Sequence, residues 1–502
     1  MIPLFSRFVK FFRTATVFFS QKREKKPMQP GSDRRGVRQS VAPGALKQTP
    51  LFTFSLRSGI ITVDSNLYRK AETDLKLLDM SPAEKIAYYM TRLYDNRLTT
   101  TSGGNLSIID SEGTIWISPS GIDKAHLTAD DISSVGPDGR ISGKYRPSSE
   151  YPFHLAVLKA RPDLKAVFHA HPPALDAFCI DRTLPPVNIL PGLASLCGGI
   201  AVAEYALPGS GLLGERIAEK FAAGYDTVLL ENHGVVIGAE SLEKAFLIFE
   251  DLEYAMRTLI PASMLGKAPR LLTEAELALY EHHEPFPAGT PAADAGDAQV
   301  RGEIVSTVRR CCSRGLFTSA TGAFASRTAD GRGFVVTPEG EDNARLTPDM
   351  TVRIGGGVCE EGKIPSSFAR LFSEIFEAHP DIGSLAAARP PHATAFALTG
   401  TPFDPRVHSE GYVFLRRISR LPFGTPVKDP GAVVRSIGMS SPVVMIDSDC
   451  VIAAGSSPLD AFNRLEVLES VAESLCAVAS VKSRQVRISD EGIADIDRLF
   501  GF

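Results

Sequence analysis

The stretch Arg161-Pro-Asp-Leu-Lys-Ala-Val-Phe-His-Ala-His-Pro-Pro173 returns in altered form as His379-Pro-Asp-Ile-Gly-Ser-Leu-Ala-Ala-Ala-Arg-Pro-Pro391. The match runs on at constant spacing from Phe178 to Phe396. Upstream, Trp116-Ile-Ser-Pro-Ser-Gly answers to Val335-Val-Thr-Pro-Glu-Gly, and Pro147-Ser-Ser-Glu to Pro365-Ser-Ser-Phe. Downstream, Thr227-Val-Leu-Leu-Glu, on to Phe246, answers to Val443-Val-Met-Ile-Asp, on to Phe462. Chance matches do not stay collinear over about 180 residues, so the chain holds two copies of one domain.

Each copy reads as mixed α and β. Ser81-Pro82-Ala83-Glu84 is a helix start: Ser81 caps, Pro82 suits the first position and Glu84 reaches back as in a capping box. Residues 113–118, 166–171 and 227–231 read as strands. A helix through His154–Ala160 stops near Pro162. Ser241–Leu259 carries an apolar stripe of Leu242, Phe246, Phe249, Leu252 and Met256. The Pro-, Ala-, Gly- and Asp-rich stretch 285–298 reads as a linker. The expected organisation is a basic, disordered tail over 1–60, a first domain over 75–284, and a second over 299–485.

The chain has 502 residues, 44% hydrophobic and 22% charged, with a net charge of −4. That suits a soluble globular protein and gives no reason to expect nucleic-acid binding. No apolar run approaches the roughly 20 residues that span a bilayer. The seven cysteines are odd in number and include no CxxC, which points to a reducing compartment, the cytoplasm. Cys311 and Cys312 read as helix residues, not a redox pair. Eleven Lys/Arg fall in the first 48 residues, opposed only by Glu24 and Asp33. Residues Phe5–Phe19 mix aromatic and basic residues as a peripheral membrane helix or transit peptide does, and organelle targeting stays open. The plainer reading is a disordered tail, or an upstream start with Met28 or Met80 as later candidates.

The chemistry concentrates in the first copy. His169 and His171 are two apart on a strand, so both imidazoles point the same way. His233, in Glu231-Asn232-His233-Gly234, follows a second strand where a glycine turn aims it inward. Three imidazoles suit Zn2+ with a position open for substrate, and Mn2+, Fe2+ or Co2+ also fit. The turns Ser102-Gly103-Gly104-Asn105-Leu106-Ser107, Ser118-Pro119-Ser120-Gly121 and Pro147-Ser148-Ser149-Glu150 offer amides and hydroxyls that suit a phosphate. Each is, taken alone, also an ordinary turn.

These five motifs, in this order, resemble the class II aldolase/adducin family over residues 80–270. The resemblance implies tandem three-layer α/β/α domains around a largely antiparallel sheet. It implies that His169, His171 and His233 hold a catalytic divalent metal, usually zinc, and that Glu150 is the acid/base. It implies that Asn105, Ser148 and Ser149, with the Ser102 and Ser120-Gly121 turns, hold a phosphate. The expected activity is carbon–carbon bond cleavage, aldolase-type, on a small phosphorylated sugar through a metal-stabilised enediolate. No Schiff base is needed, so no lysine is nominated. Aldolases of this family carry a tyrosine after the histidine pair that acts across a subunit boundary. The comparable stretch, Pro186–Leu190, has none. An epimerase, decarboxylase or dehydratase on a related sugar phosphate or sugar acid therefore stays open, as does an adducin-like scaffold or a sugar-phosphate sensor. Tyr205 lies nearby in sequence without an assigned place.

In the second copy Ala323, Phe368, Ala387, Arg389 and Asp449 replace Asn105, Glu150, His169, His171 and His233. No catalytic metal is expected there. The resemblance implies a cyclic tetramer with sites at subunit contacts, so the expected assembly is a dimer of chains making a pseudo-tetramer, in which the second copy completes the first copy's site. Arg389 is a candidate cation for that role; the plainer expectation is a surface arginine.

Overall fold

The computed structural model describes residues 52–56, 59–63, 80–281, 285–292 and 296–502. The basic segment through Phe19 lies outside them. Phe52–Leu56, inside the expected tail, pairs as an antiparallel strand with Gly59–Val63, which runs past its expected end at residue 60. No described helix is long and apolar enough to cross a membrane.

The first copy opens with helix α1 (Pro82–Asp95), and its capping box is formed as read: Glu84 N–H donates to Ser81 Oγ and Ser81 N–H to Glu84 Oε2. Strands β1 (Asn105–Ile109), β2 (Ile115–Ile117), β3 (Ser133–Val135) and β4 (Ile141–Ser142) follow. Helix α2 (Tyr151–Ala160), β5 (Ala166–Ala170), α3 (Pro173–Asp181), β6 (Ile200–Ala203) and α4 (Gly211–Ala222) come next. Strands β7 (Thr227–Leu230) and β8 (Gly234–Ala239) lead into α5 (Leu242–Arg257) and α6 (Leu259–Met264). The sheet order is β4-β3-β2-β1-β5-β8-β7-β6, antiparallel except for β6 with β7.

Alternation along the central strand β5 sorts the layers. Ala166, Phe168 and Ala170 face α1, α3 and α5 in one core cluster, whereas Val167 joins α2 and α4 in the other. His169 shares the α2 side with Val167. Its cross-strand neighbours are Asn105 on β1 and Val236 on β8. Register alone thus sets Asn105 beside His169.

The second copy repeats this frame. Its strands are β9 (Ala288–Gly289), β10 (Ala323–Arg327), β11 (Gly333–Val336), β12 (Val352–Gly355), β13 (Val358–Glu360), β14 (Ser384–Ala388), β15 (Ile418–Leu421), β16 (Val443–Ile446) and β17 (Val451–Gly455). Its helices include α7 (Asp297–Ser313), α8 (Ala369–Ala378), α9 (Pro391–Thr399) and α10 (Pro458–Ser480). Both Cys311 and Cys312 lie in α7. The sheet order β9-β13-β12-β11-β10-β14-β17-β16-β15 matches the first, with one strand added at the edge. That added strand corrects the linker reading: Ala288–Gly289 pairs parallel with β13, because its backbone meets an open sheet edge.

The copies share apolar core. Leu398 of α9 is buried in the first copy's cluster, and Arg270 N–H donates to its carbonyl at 3.0 Å. Tyr254 of α5 donates its hydroxyl to the Gly315 carbonyl. Arg92 of α1 packs over Phe246, donates to Ser319 Oγ at 2.7 Å and pairs with Asp342. Glu250 accepts from Ser319 N–H at 2.7 Å.

Candidate functional site

The turns around the site are laced together by Ser118. Its buried hydroxyl accepts Leu106 N–H and its carbonyl accepts Ser148 N–H, so three short segments converge on one residue. Pro119 and Pro147 form a β-bridge between two of them. Glu150 begins α2, and its N–H donates to Ser148 Oγ at 3.3 Å.

Three imidazoles meet above this frame. His169 lies on β5 and His171 just past its end. Their Nε2 atoms are 3.1 Å apart, although each tends to repel the other's lone pair. Two Nε2 ligands of one tetrahedral zinc, each at about 2.0–2.1 Å from the ion, lie at nearly that separation. His233 completes a group whose donor atoms all fall within 4.8 Å of one another. His169 Nδ1 faces the Val235 carbonyl at 3.0 Å, which places the proton on Nδ1 and leaves Nε2 free to bind. Burial pushes His169 down to about 3 and lowers His171 as well, so both stay neutral, as ligands must.

Glu150 stands against the cluster, Oε2 at 3.3 Å from His169 Nε2 and Oε1 at 3.2 Å from His233 Nε2. Oε1 and His233 Nδ1 are buried without an aligned hydrogen bond. Burial works to raise the Glu150 pKa, but the hydrogen bonds with His233 and Asn105 and the nearness of His169 outweigh it and hold the carboxyl well below its usual range. Three imidazoles, an ionised carboxylate and unsatisfied polar atoms form a donor set that fits a divalent cation.

The reading of His233 needs a correction in detail. The turn residue with positive φ is Asn232 (φ 55°), not Gly234. Gly234 is required for space: a Cβ there would meet His171 Cδ2 at 2.5 Å and the Ala170 carbonyl at 2.8 Å.

Of the other nominated residues, Asn105 and Ser148 are buried, whereas Ser102, Ser120, Gly121 and Ser149 are exposed. Gly121 has open space where a side chain would be. Tyr205 is half exposed and gives its N–H to Glu231, away from the histidines' hydrogen-bond partners.

Three residues at the site escaped the sequence. His154, one helical turn after Glu150, is wholly buried between Ser107 Oγ and Asn105 Oδ1. Asn105 gives its amide N–H to Glu150 Oε2 at 2.7 Å, so its oxygen must accept from His154 Nε2–H. This chain of hydrogen bonds aims the Glu150 carboxylate. Burial takes His154 to about 3, so it stays neutral. Lys124, also buried, donates to the Pro119 carbonyl and sits in the field of Glu150; burial lowers it to about 8. Buried Glu253 of α5 accepts Ala174 and Leu175 N–H at the start of α3, fixing the segment that follows His171.

The same places in the second copy hold different chemistry. Arg389 and Asp449, at the positions of His171 and His233, form an ion pair at 3.2 Å, and Arg389 Nε donates to the Asp449 carbonyl at 2.9 Å. Arg389 also donates to the Pro191 carbonyl of the first copy at 3.2 Å, and Tyr280 gives its hydroxyl to Asp449. Arg389 is thus neither a surface arginine nor a group at the three histidines; its charge is spent on Asp449. At the place of Ser120 stands Glu339, whose carboxylate accepts Ser367 N–H at 2.8 Å. An internal anion fills that turn.

The HxH pair, with His169 buried and His171 partly so, a third histidine after a neighbouring strand and an adjacent carboxylate make a group that could hold one metal ion on an α/β/α frame. The family model for the class II aldolase and adducin N-terminal domain matches residues 84–260 and again 302–476. The chain belongs to this family. It is 32% identical over 197 residues to a 5-deoxy-D-ribulose 1-phosphate aldolase of Bacillus thuringiensis serovar kurstaki, covering 39% of this chain and 91% of that one. It is 30% identical over 211 residues to a 3-oxo-tetronate 4-phosphate decarboxylase of Escherichia coli K12, covering 41% and 98%. A solved L-fuculose 1-phosphate aldolase is 34% identical, covers 39% of this chain and 93% of its own, and has a TM-score of 0.36.

Proposed function

We propose that the first copy is a metal-dependent carbon–carbon bond lyase acting on a small phosphorylated sugar. One observation carries this reading: three imidazoles converge within 4.8 Å, with the ionised Glu150 at 3.2–3.3 Å from two of them. His169, His171 and His233 would hold a divalent cation, Zn2+ or one of Mn2+, Fe2+ and Co2+. Such a cation supplies Lewis acidity to substrate oxygens during cleavage.

The chain's own residues do the rest. Exposed Ser102, Ser120-Gly121 and Ser149, with buried Ser148, receive the phosphate. Glu150, aimed by Asn105 and His154, moves a proton at the carbon or oxygen where the bond breaks. The second reading is decarboxylation of a phosphorylated oxo acid. It is favoured by the missing tyrosine in Pro186–Leu190 and by the likeness to the tetronate decarboxylase. Two tandem chains forming a pseudo-tetramer is the assembly proposed.

The test is elemental mass spectrometry of purified protein beside His169→Ala, followed by a panel of sugar phosphates and oxo-acid phosphates. About one ion per chain, lost in the variant, is expected. Failure to bind any metal after reconstitution ends the lyase reading.

A further inference from the structure

Among the buried polar atoms without a hydrogen bond are His233 Nδ1 and Asp176 Oδ1. They belong to neighbouring elements. Asp176 is on α3, one turn before Cys179, and Cys179 is tied to the His233 turn on both sides of the histidine. Its carbonyl accepts Asn232 N–H at 2.9 Å, and its Sγ donates to the Gly234 carbonyl at 3.2 Å. The placing of α3 against His233 is therefore held by the residues before and after it.

The two atoms are complementary. His233 turns Nε2 towards Glu150 Oε1, at 3.2 Å, on the side of the other two imidazoles. A neutral imidazole that binds through Nε2 carries its proton on Nδ1, so Nδ1 is then a donor in need of an acceptor. His169 meets that need with the Val235 carbonyl. His233 Nδ1 has no acceptor, and Asp176 has a carboxylate oxygen to spare. Burial and Glu253 both work against a charge on Asp176, whereas His233 works for it. Glu253 already holds the start of α3, so a second carboxylate near it is unfavourable without a compensating group.

The two copies differ at this pair in a matched way. By the spacing that sets Phe178 on Phe396, Asp176 stands where the second copy has Thr394. His233 stands where it has Asp449. The copy with the imidazole has a carboxylate on the helix, and the copy with a carboxylate in the turn has a neutral hydroxyl there. Asp449 is taken up by Arg389 and Tyr280, and the Thr394 hydroxyl is buried without a partner. Glu253 and Glu469 hold the same helix start in both copies. The carboxylate at position 176 is thus not needed to build the helix; it accompanies the histidine.

We infer that Asp176 is a positioning residue of the metal site: its carboxylate accepts the Nδ1 proton of His233, directly or through one water, when an ion is held at Nε2. An acceptor there fixes the ring plane and makes the imidazole a stronger ligand. Asp176 acts through His233 and sets how tightly the first copy holds its ion. The inference rests on the metal-dependent reading given above.

The test measures Zn2+ affinity of the full chain by competition with a chromophoric chelator. Asp176→Thr, which carries the second copy's side chain on a matching helix, is expected to bind Zn2+ about 10- to 100-fold more weakly than wild type. Asp176→Asn, which keeps an acceptor oxygen without the charge, should recover part of that loss. Denaturant unfolding separates positioning from a structural role. Metal-free Asp176→Thr should unfold at the midpoint of metal-free wild type or above it, while the rise in midpoint on adding Zn2+ should be smaller than in wild type. Equal Zn2+ affinity in wild type and Asp176→Thr, or an affinity loss matched by a fall in the metal-free midpoint, overturns the role of Asp176 and leaves the lyase reading in place. A wild type that binds no ion after reconstitution overturns both.

Discussion

In the first copy, strand Ala166–Ala170 delivers His169 and His171 to a group of nitrogen donors. In the second, strand Ser384–Ala388 delivers Ala387 and Arg389 to a salt bridge with Asp449. The scaffolds around the two places are alike: Thr337 links Phe324 and Ser366 as Ser118 links Leu106 and Ser148. Glu469 holds the start of α9 as Glu253 holds the start of α3. The difference teaches that the frame does not depend on the metal. Where imidazoles were lost, a permanent cation and a carboxylate took over the cross-link between two strand ends. Tyr280 and the Pro191 carbonyl then tied that cross-link to the neighbouring copy.

This comparison breaks most sharply at its centre. His233→Ala is expected to abolish bound metal and turnover, yet to shift the stability of metal-free protein by no more than about 1 kcal/mol. Asp449→Ala should do the reverse. It leaves Arg389, largely buried, and the Tyr280 hydroxyl without their partner, at a cost of about 3 kcal/mol or more in denaturant unfolding. Metal content should stay the same. Equal stability losses in the two variants would erase the distinction drawn here.

A second test separates ligand from positioning. His154→Phe removes the donor that orients Asn105, so turnover should drop about 10- to 100-fold while metal remains bound. His154→Gln, which keeps an N–H at that end, should recover part of it. The same residue sets a pH effect. Its pKa falls from 6.5 to about 3 on folding, so the unfolded chain binds the proton more tightly. The stability is therefore fully present above pH 6.5 and is lost as pH falls towards 3. Denaturant midpoints measured across that window should slope less in His154→Gln. The smallest effect is expected at the filled turn. Glu339→Ser opens it and should change stability by no more than about 0.5 kcal/mol, since the carboxylate serves one exposed amide.

Much of this was legible in the sequence. The repeat declared the two copies, and strand alternation placed His169 with His171. Local codes such as Ser81–Glu84 were read correctly because their partners lie three residues away. What escaped had partners far along the chain. His154 is one of ten histidines, and only the packing of β1 against α2 shows that it serves Asn105. Arg389 finds Asp449 60 residues on and Pro191 198 residues back, so charge and spacing alone gave it no address. The linker strand Ala288–Gly289 is too short to carry a pattern and exists because a sheet edge was waiting for it.

Leu398 has a consequence for how the molecule is made. It fills the first copy's core, yet it is synthesised well after Met264, where α6 ends. At ribosomal rates of about 5–20 residues per second the first copy waits roughly ten seconds with that slot open. Final closure of that core therefore depends on the arrival of the second copy. A chain cut between the copies would lack Leu398 in that slot permanently, and its first copy is expected to unfold at a lower denaturant concentration than the whole protein.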